Sequence, residues 1–185
     1  MPWLNIALIV GIALLFPTAY AAKIGAPYVP VRTRAIRKTL EYINLGSDDV
    51  FVDLGAGDGK VVLAAADRGA RAYGYELSPP IWFVAWMRAV VWAWRRKNKH
   101  KPRIYLRNFY RQPLTDATVA YTFLVPGTME RVRQCLAKQH IPRGKYMLVY
   151  AFPFKEVLPL HVVREPNCLP VYVYDLQELT KKRKT

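Results

Sequence analysis

The residues from Val50 to Ser78, VFVDLGAGDGKVVLAAADRGARAYGYELS, constrain the fold more than any other stretch of this chain. An apolar run ending at Asp53 and Leu54 reads as a strand. Lys60 to Arg68 resumes with helical spacing and stops at Gly69, and a second apolar run closes at Glu76. Between strand and helix lies Gly55-x-Gly57-x-Gly59. Glycines at this spacing turn the backbone sharply and let a ligand approach main-chain N–H groups with no Cβ in the way. A dinucleotide site requires G-x-G-x-x-G, and its third glycine falls here on Lys60. Asp53 and Asp58 flank the loop, and two carboxylates repel a pyrophosphate while suiting a cation. Glu76, about 20 residues beyond the loop at the end of the next strand, is placed to accept ribose hydroxyls.

S-adenosylmethionine (SAM) carries a sulfonium, an ammonium and a ribose, and so meets these conditions together. Asp53-Leu54-Gly55-Ala56-Gly57-Asp58-Gly59, followed by Gly74-Tyr75-Glu76-Leu77, resembles the glycine loop and ribose acid of class I SAM-dependent methyltransferases. With the N-terminal apolar segment and Gly25-Ala26-Pro27-Tyr28-Val29-Pro30, the chain is similar to the membrane-anchored protein-lysine methyltransferases that modify the adenine nucleotide translocase and the ATP synthase c subunit. The likeness runs from about Gly25 through Tyr174. It implies an α/β fold with a doubly wound, mostly parallel, seven-stranded Rossmann-like sheet. It also implies SAM as cofactor, with Asp53, Gly55, Ala56, Gly57, Asp58, Gly59, Glu76, Leu77, Asn108 and Phe109 as its binding residues. Tyr28 and Pro30 are implied as lid residues over the cofactor, a plain linker being the competing reading, and Pro126 as a residue on the substrate side. The class pattern places an acid where Asn108 stands, to contact the adenine amino group; the Asn108 carbonyl oxygen can accept the same bond. Many amino-group methyltransferases carry Asn-Pro-Pro-aromatic at the end of the fourth strand. Here that place reads Leu124-Val125-Pro126-Gly127, so no polar lysine clamp is legible and no catalytic base is assigned.

Trp3 to Ala22 is a run of about 20 residues, about 30 Å as a helix, and long enough to cross a bilayer. A cleaved signal peptide is the alternative, since Ala19-Tyr20-Ala21 has the form of a cleavage site. Charge favours an anchor with the remainder of the chain on the cytoplasmic side. No Lys or Arg precedes the run, whereas Lys23, Arg32, Arg34, Arg37 and Lys38 follow it. The first 22 residues hold no charged side chain, so the whole net charge of +15 falls on the rest. Residues 23–46 read as a proline-marked linker or lid followed by a short amphipathic helix from Ala35 to Asn44, 47–178 as one SAM-binding domain, and 179–185 as a basic tail. Cys135 and Cys168, like His100, His140 and His161, are scattered without metal-ligand spacing, which argues for buried thiols in a reducing compartment.

Downstream, Pro79 to Arg96 is a helix apolar on nearly every face, with Trp82, Trp86, Val90 and Trp94 in one stripe, and it runs into Arg95, Arg96, Lys97, Lys99, Lys101 and Arg103. Aromatics beside a basic run mark a membrane surface and attract anionic lipid. The same pairing can stack and neutralise RNA, but a chain already carrying an anchor favours the membrane over nucleic acid. Strands are expected over Arg103–Arg107, Thr118–Val125 and Lys145–Phe152, and a helix from Thr128, read as its cap, to Gln139. A terminal antiparallel hairpin is expected over Val157–Glu165 and Leu169–Leu176. Three functions fit this layout. One is direct methyl transfer to lysine of a membrane protein; another is methylation of a lipid, quinone or other small membrane-resident molecule. The third is a non-catalytic basic module that binds membrane or RNA.

Overall fold

A computed structural model describes residues 3–6, 8–9, 11, 32–96, 100–155 and 157–180. Tyr28, Pro30, residues 181–185 and most of the Trp3–Ala22 run lie outside the described residues; the basic tail read from 179 begins later, because Leu179 and Thr180 belong to the terminal helix and Leu179 is buried. Residues 3–6, 8–9 and 11 are helical, and Trp3, Leu4, Ile6, Leu8 and Ile9 among them are exposed. No helix among the described residues is long and apolar enough to cross a membrane.

The glycine-loop unit folds as its apolar spacing dictates. Strand β1 (Val50–Leu54) leads through the loop into helix α2 (Lys60–Asp67) and strand β2 (Arg71–Glu76), preceded by helix α1 (Thr33–Tyr42). Helix α3 (Pro79–Arg95), with prolines in its first turn, returns the chain to strand β3 (Arg103–Leu106). A 3-10 turn (Phe109–Arg111), strand β4 (Val119–Thr122), helix α4 (Pro126–Leu136) and strand β5 (Tyr146–Tyr150) follow. Strands β6 (His161–Val163) and β7 (Val171–Asp175) and helix α5 (Leu176–Thr180) complete the domain.

The sheet has seven strands in the order β3-β2-β1-β4-β5-β7-β6. β1 to β5 are parallel, and β7 runs antiparallel to both β5 and β6. Every residue of β1 is buried, as a parallel strand covered on both faces requires. Helices α1, α2 and α3 close one face over Ile36, Leu40, Phe51, Val62, Ala85 and Tyr121. Helices α4 and α5 close the other over Val52, Leu54, Val132, Leu136, Met147 and Leu176. From β1 the chain proceeds outward to β3, then returns to place β4 on the other side of β1. The crevice for a ligand therefore opens between the carboxyl ends of β1 and β4.

Several local expectations shift. Helix α4 starts at Pro126, which occupies the first turn where a missing N–H costs nothing. Thr128 lies inside that helix and donates its Oγ1 hydrogen to the Val125 carbonyl at 2.7 Å, so it is not the cap. The final apolar run does not stay extended to Leu176, because the Asp175 carboxylate accepts from the N–H groups of Gln177 (2.7 Å) and Glu178 (3.3 Å) and so starts α5. The four tryptophans of α3 divide. Trp82 and Trp92 face inward, donating their indole N–H to the Ile104 carbonyl (3.0 Å) and to Asp67 Oδ1 (2.8 Å), while Trp86 and Trp94 face solvent.

Candidate active site

Gly55, Gly57 and Gly59 all take positive φ, at +95°, +52° and +79°, which explains glycine at each alternate position of the loop. The loop is folded back onto β2, with the N–H groups of Gly55 and Ala56 both donating to the Tyr75 carbonyl at 3.0 and 2.8 Å. Gly74 makes that approach feasible, since a Cβ there would stand 2.6 Å from the Ala56 Cβ. Behind the loop, a Cβ on Gly59 would lie 3.2 Å from the Ala85 Cβ, so α3 forms its back wall.

Glu76 closes the cradle at the end of β2. Its Oε2 accepts from the Gly57 N–H at 2.9 Å, and its Oε1 from Leu77 and Ser78 at 2.8 and 2.7 Å. A carboxylate has about four acceptor positions, so one on Oε2 remains for a ribose hydroxyl. Burial raises the Glu76 pKa, and the three N–H groups pull it back only in part.

Asp53 and Asp58, expected to flank the loop alike, differ in the structure. Asp58 is ion-paired to Arg88 of α3 and to Lys60 Nζ at 2.9 Å, and Arg88 also donates to the Asp58 carbonyl at 3.0 Å. Its charge is offset, and it braces the loop against the helix. Asp53 is 1% exposed, and its Oδ1 has no hydrogen-bond partner among the described residues. Burial first, then the negative charges of Glu76 and Asp58, hold its pKa well above the ordinary carboxylate range. Its register neighbour on β4 is Tyr121, whose buried hydroxyl is also unpartnered among the described residues. A buried acid in that state suits a cationic ligand group, and the loop beside it holds its tight turn only without side chains, since a Cβ on Gly55 would lie 3.3 Å from Leu124 and one on Gly59 3.2 Å from Ala85. Both observations fit SAM.

The remaining assignments separate. Leu77 follows Glu76 directly and is half-buried. Asn108 spends Oδ1 on the Tyr110 N–H at 3.0 Å, capping the 3-10 turn, and Phe109 is buried with its ring 4.1 Å from that of Tyr110. Pro126 is exposed at the start of α4, past the carboxyl end of β4. Arg32, the first described residue after Tyr28 and Pro30, donates to the Asn167 carbonyl at 2.8 Å, in the β6–β7 turn at the site end of the sheet. At the same end, Phe123 sits edge-on to Tyr150 with centroids 5.0 Å apart and roughly parallel to Phe152 at 6.4 Å. Sequence reasoning alone misses Arg88, Tyr121 and this aromatic group. Arg88 had a signal, being the one charged residue between Pro79 and Trp94.

Known proteins agree with this geometry. The ANTKMT methyltransferase domain model matches residues 53–161. The ATP synthase c-subunit lysine N-methyltransferase of Xenopus laevis is 30% identical over 170 residues, covering 92% of this chain and 72% of that protein. Adenine nucleotide translocase lysine N-methyltransferase of Mus musculus is 31% identical over 155 residues, covering 83% of this chain and 65% of that protein. Among solved structures, an RNA methyltransferase from Salinibacter ruber in complex with S-adenosyl-L-homocysteine superposes with a TM-score of 0.71 at 26% identity, covering 80% of this chain and 94% of that one. With the cradle, the strand order and these matches in agreement, the chain belongs to the ANTKMT methyltransferase family and is a SAM-dependent methyltransferase.

Proposed function

We propose that this enzyme N-methylates a lysine side chain of a membrane protein, working from the membrane surface on the cytoplasmic side with Trp3–Ala22 as its single-pass anchor. The observation that carries the acceptor class is the group Phe123, Tyr150 and Phe152 at the carboxyl ends of β4 and β5, beside the cradle of Asp53 and Glu76. Its side chains are aromatic, which suits the apolar stem of a lysine. Low-dielectric walls disfavour the ammonium and lower the amine pKa, so an unprotonated nitrogen can be delivered without a dedicated base. The names of the Xenopus and mouse relatives, both lysine methyltransferases of stated protein targets, support the same acceptor. The cations that follow Trp3–Ala22 support the anchor and its orientation.

When bound, SAM supplies a methyl group already activated by its sulfonium. What this chain adds is position: the remaining acceptor of Glu76 orients the nucleoside through its ribose, Asp53 faces the positive end, and the aromatic group aligns the incoming nitrogen. Alignment of this kind supplies much of the acceleration in a direct displacement. Membership of the family sets aside the non-catalytic reading. The Salinibacter neighbour is an RNA methyltransferase, which keeps RNA as a comparison beside lipids and quinones. The test incubates the full chain and cell membranes with methyl-tritiated SAM, then separates protein, lipid extract and RNA. Label released as methyl-lysine from protein supports the proposal; label confined to lipid or RNA overturns it. Intact-mass analysis of the membrane-bound protein tests the anchor, which a mature N-terminus near Ala22 would refute.

A further inference from the structure

We infer that the outer face of α3 is a docking surface for an anionic phospholipid bilayer, separate from any anchor at the N-terminus. Ala85, Ala89 and Trp92 turn the inner face of this helix to the sheet. The opposite face presents Phe83, Trp86, Met87, Val90, Val91 and Trp94, every one exposed, with Trp94 at 85%. Six large apolar side chains along one exposed face exceed the scatter of single hydrophobics usual on a soluble surface. Phe83 and Trp86 lie with ring centroids 6.0 Å apart, giving the stripe a continuous aromatic start.

Charge identifies the occupant. The stripe ends at Arg95, and the chain continues to His100, Lys101 and Arg103, which with Arg71 outnumber the one acid, Asp116, in the depression they line at the amino ends of β2 and β3. Arg71, Arg95, Lys101 and Arg103 form no ion pair among the described residues. Arg96, by contrast, is engaged with Asp67 at 3.2 Å and lies over the Trp92 ring, and Arg88 with Asp58. An apolar stripe with tryptophans, bordered by cations outside any ion pair among the described residues, matches acyl chains beneath anionic headgroups. A second copy of the chain would meet the same cations with its own, in a protein of net charge +15. Because Ala85 and Arg88 of the same helix back the glycine loop, docking would hold the cofactor cradle about one helix diameter, roughly 10 Å, above the lipid. The methyl acceptor would then have to lie close to the bilayer surface.

This inference rests on the membrane reading of the proposed function, but its test needs no methyl acceptor, so the two fail separately. Full-length protein is incorporated into vesicles of equal parts phosphatidylcholine and phosphatidylglycerol bearing brominated acyl chains, and tryptophan quenching is compared between the parent, W3F and the double variant W86F/W94F. Trp86 and Trp94 are exposed and outside the cradle, and unchanged SAM binding verifies the fold. The expected result is that W3F retains a large quenchable share and that W86F/W94F loses it. In R95E/K101E/R103E, and in vesicles of phosphatidylcholine alone, that share should also fall, by about fivefold in partition per basic contact removed. Equal quenching in the parent and in W86F/W94F overturns the inference. So does a stable dimer that shields Trp94 from the lipid.

Discussion

Replacing Asp53 with Asn should make the ligand-free enzyme more stable and a poorer binder of SAM. Asp53 is buried, one of its oxygens has no hydrogen-bond partner among the described residues, and Glu76 and Asp58 add like charge. An unsatisfied buried polar group costs about 1–3 kcal/mol, and more when charged. Asn keeps the volume and removes the charge, so a gain of about 2 kcal/mol at neutral pH is expected, or about 4–8 °C in Tm for a chain of this size. The pH dependence carries the sign. With its folded pKa raised above the ordinary 3.8, Asp53 binds a proton in the native state where the unfolded chain does not. Its contribution to stability is therefore complete below 3.8 and is lost as pH rises through the elevated folded value. Glu76 contributes in the same direction, so the informative quantity is the difference between parent and D53N, which should widen in favour of D53N as pH rises. Thermal unfolding of the ligand-free protein across pH, with calorimetric titration of SAM, measures both halves. A D53N protein less stable than the parent at pH 7, or one that binds SAM with the parent Kd, would refute the reasoning.

Glu76→Ala strips three N–H groups of their acceptor; it should cost about 2–4 kcal/mol of stability and raise the SAM Kd by at least about 30-fold, read by unfolding and calorimetry. Gly57→Val puts a β-branched residue at φ +52°, a strain of about 1–3 kcal/mol, in the turn whose N–H fixes the Glu76 carboxylate, so calorimetry should record no SAM binding. Asp49→Asn acts at the other end of the strands. Burial pushes the Asp49 pKa up, but Lys145 at 2.8 Å, the Gly46 N–H at 3.1 Å and Thr118 at 3.0 Å hold it below 3.8 on balance. Its stabilisation is therefore present above 3.8 and lost as pH falls through the lowered value. D49N should lose about 1–3 kcal/mol at pH 7 with no change in the SAM Kd.

The strand-loop-helix-strand unit was legible because its signals are local: apolar runs of the right length, glycines where φ must be positive, and acids at strand ends. The mostly parallel sheet and its antiparallel terminal hairpin were legible too, from the resemblance and the apolar runs, but not the strand order β3-β2-β1-β4-β5-β7-β6. What escaped was set by contacts between distant residues. Nothing near Tyr121 in the sequence marks it as the neighbour of Asp53; the pairing exists only because β4 crosses back to lie against β1. The two tryptophan roles on α3 were likewise invisible, since Trp82 and Trp86 are four residues apart and share a stripe by spacing. Only the partners of Trp82 and Trp92, the Ile104 carbonyl and Asp67, divide inward from outward.

Charge does disfavour a pyrophosphate in this cradle, but Asp53 and Asp58 do not share that effect equally, because Asp58 is paired with Arg88 and Lys60. Taking Asp53, Asp58 and Glu76 as ionised against these two cations leaves the cradle one negative charge in excess. Burial raises the pKa of both strand-end acids, Asp53 and Glu76, so the cradle by itself resists that excess and a cationic ligand group beside them favours it. A pyrophosphate has the opposite effect, since its own negative charge drives the buried acids further toward protonation. Selection of SAM over a dinucleotide therefore falls to the strand-end acids. The Asp58 carboxylate, though part of the loop motif, serves instead to fasten the loop to α3.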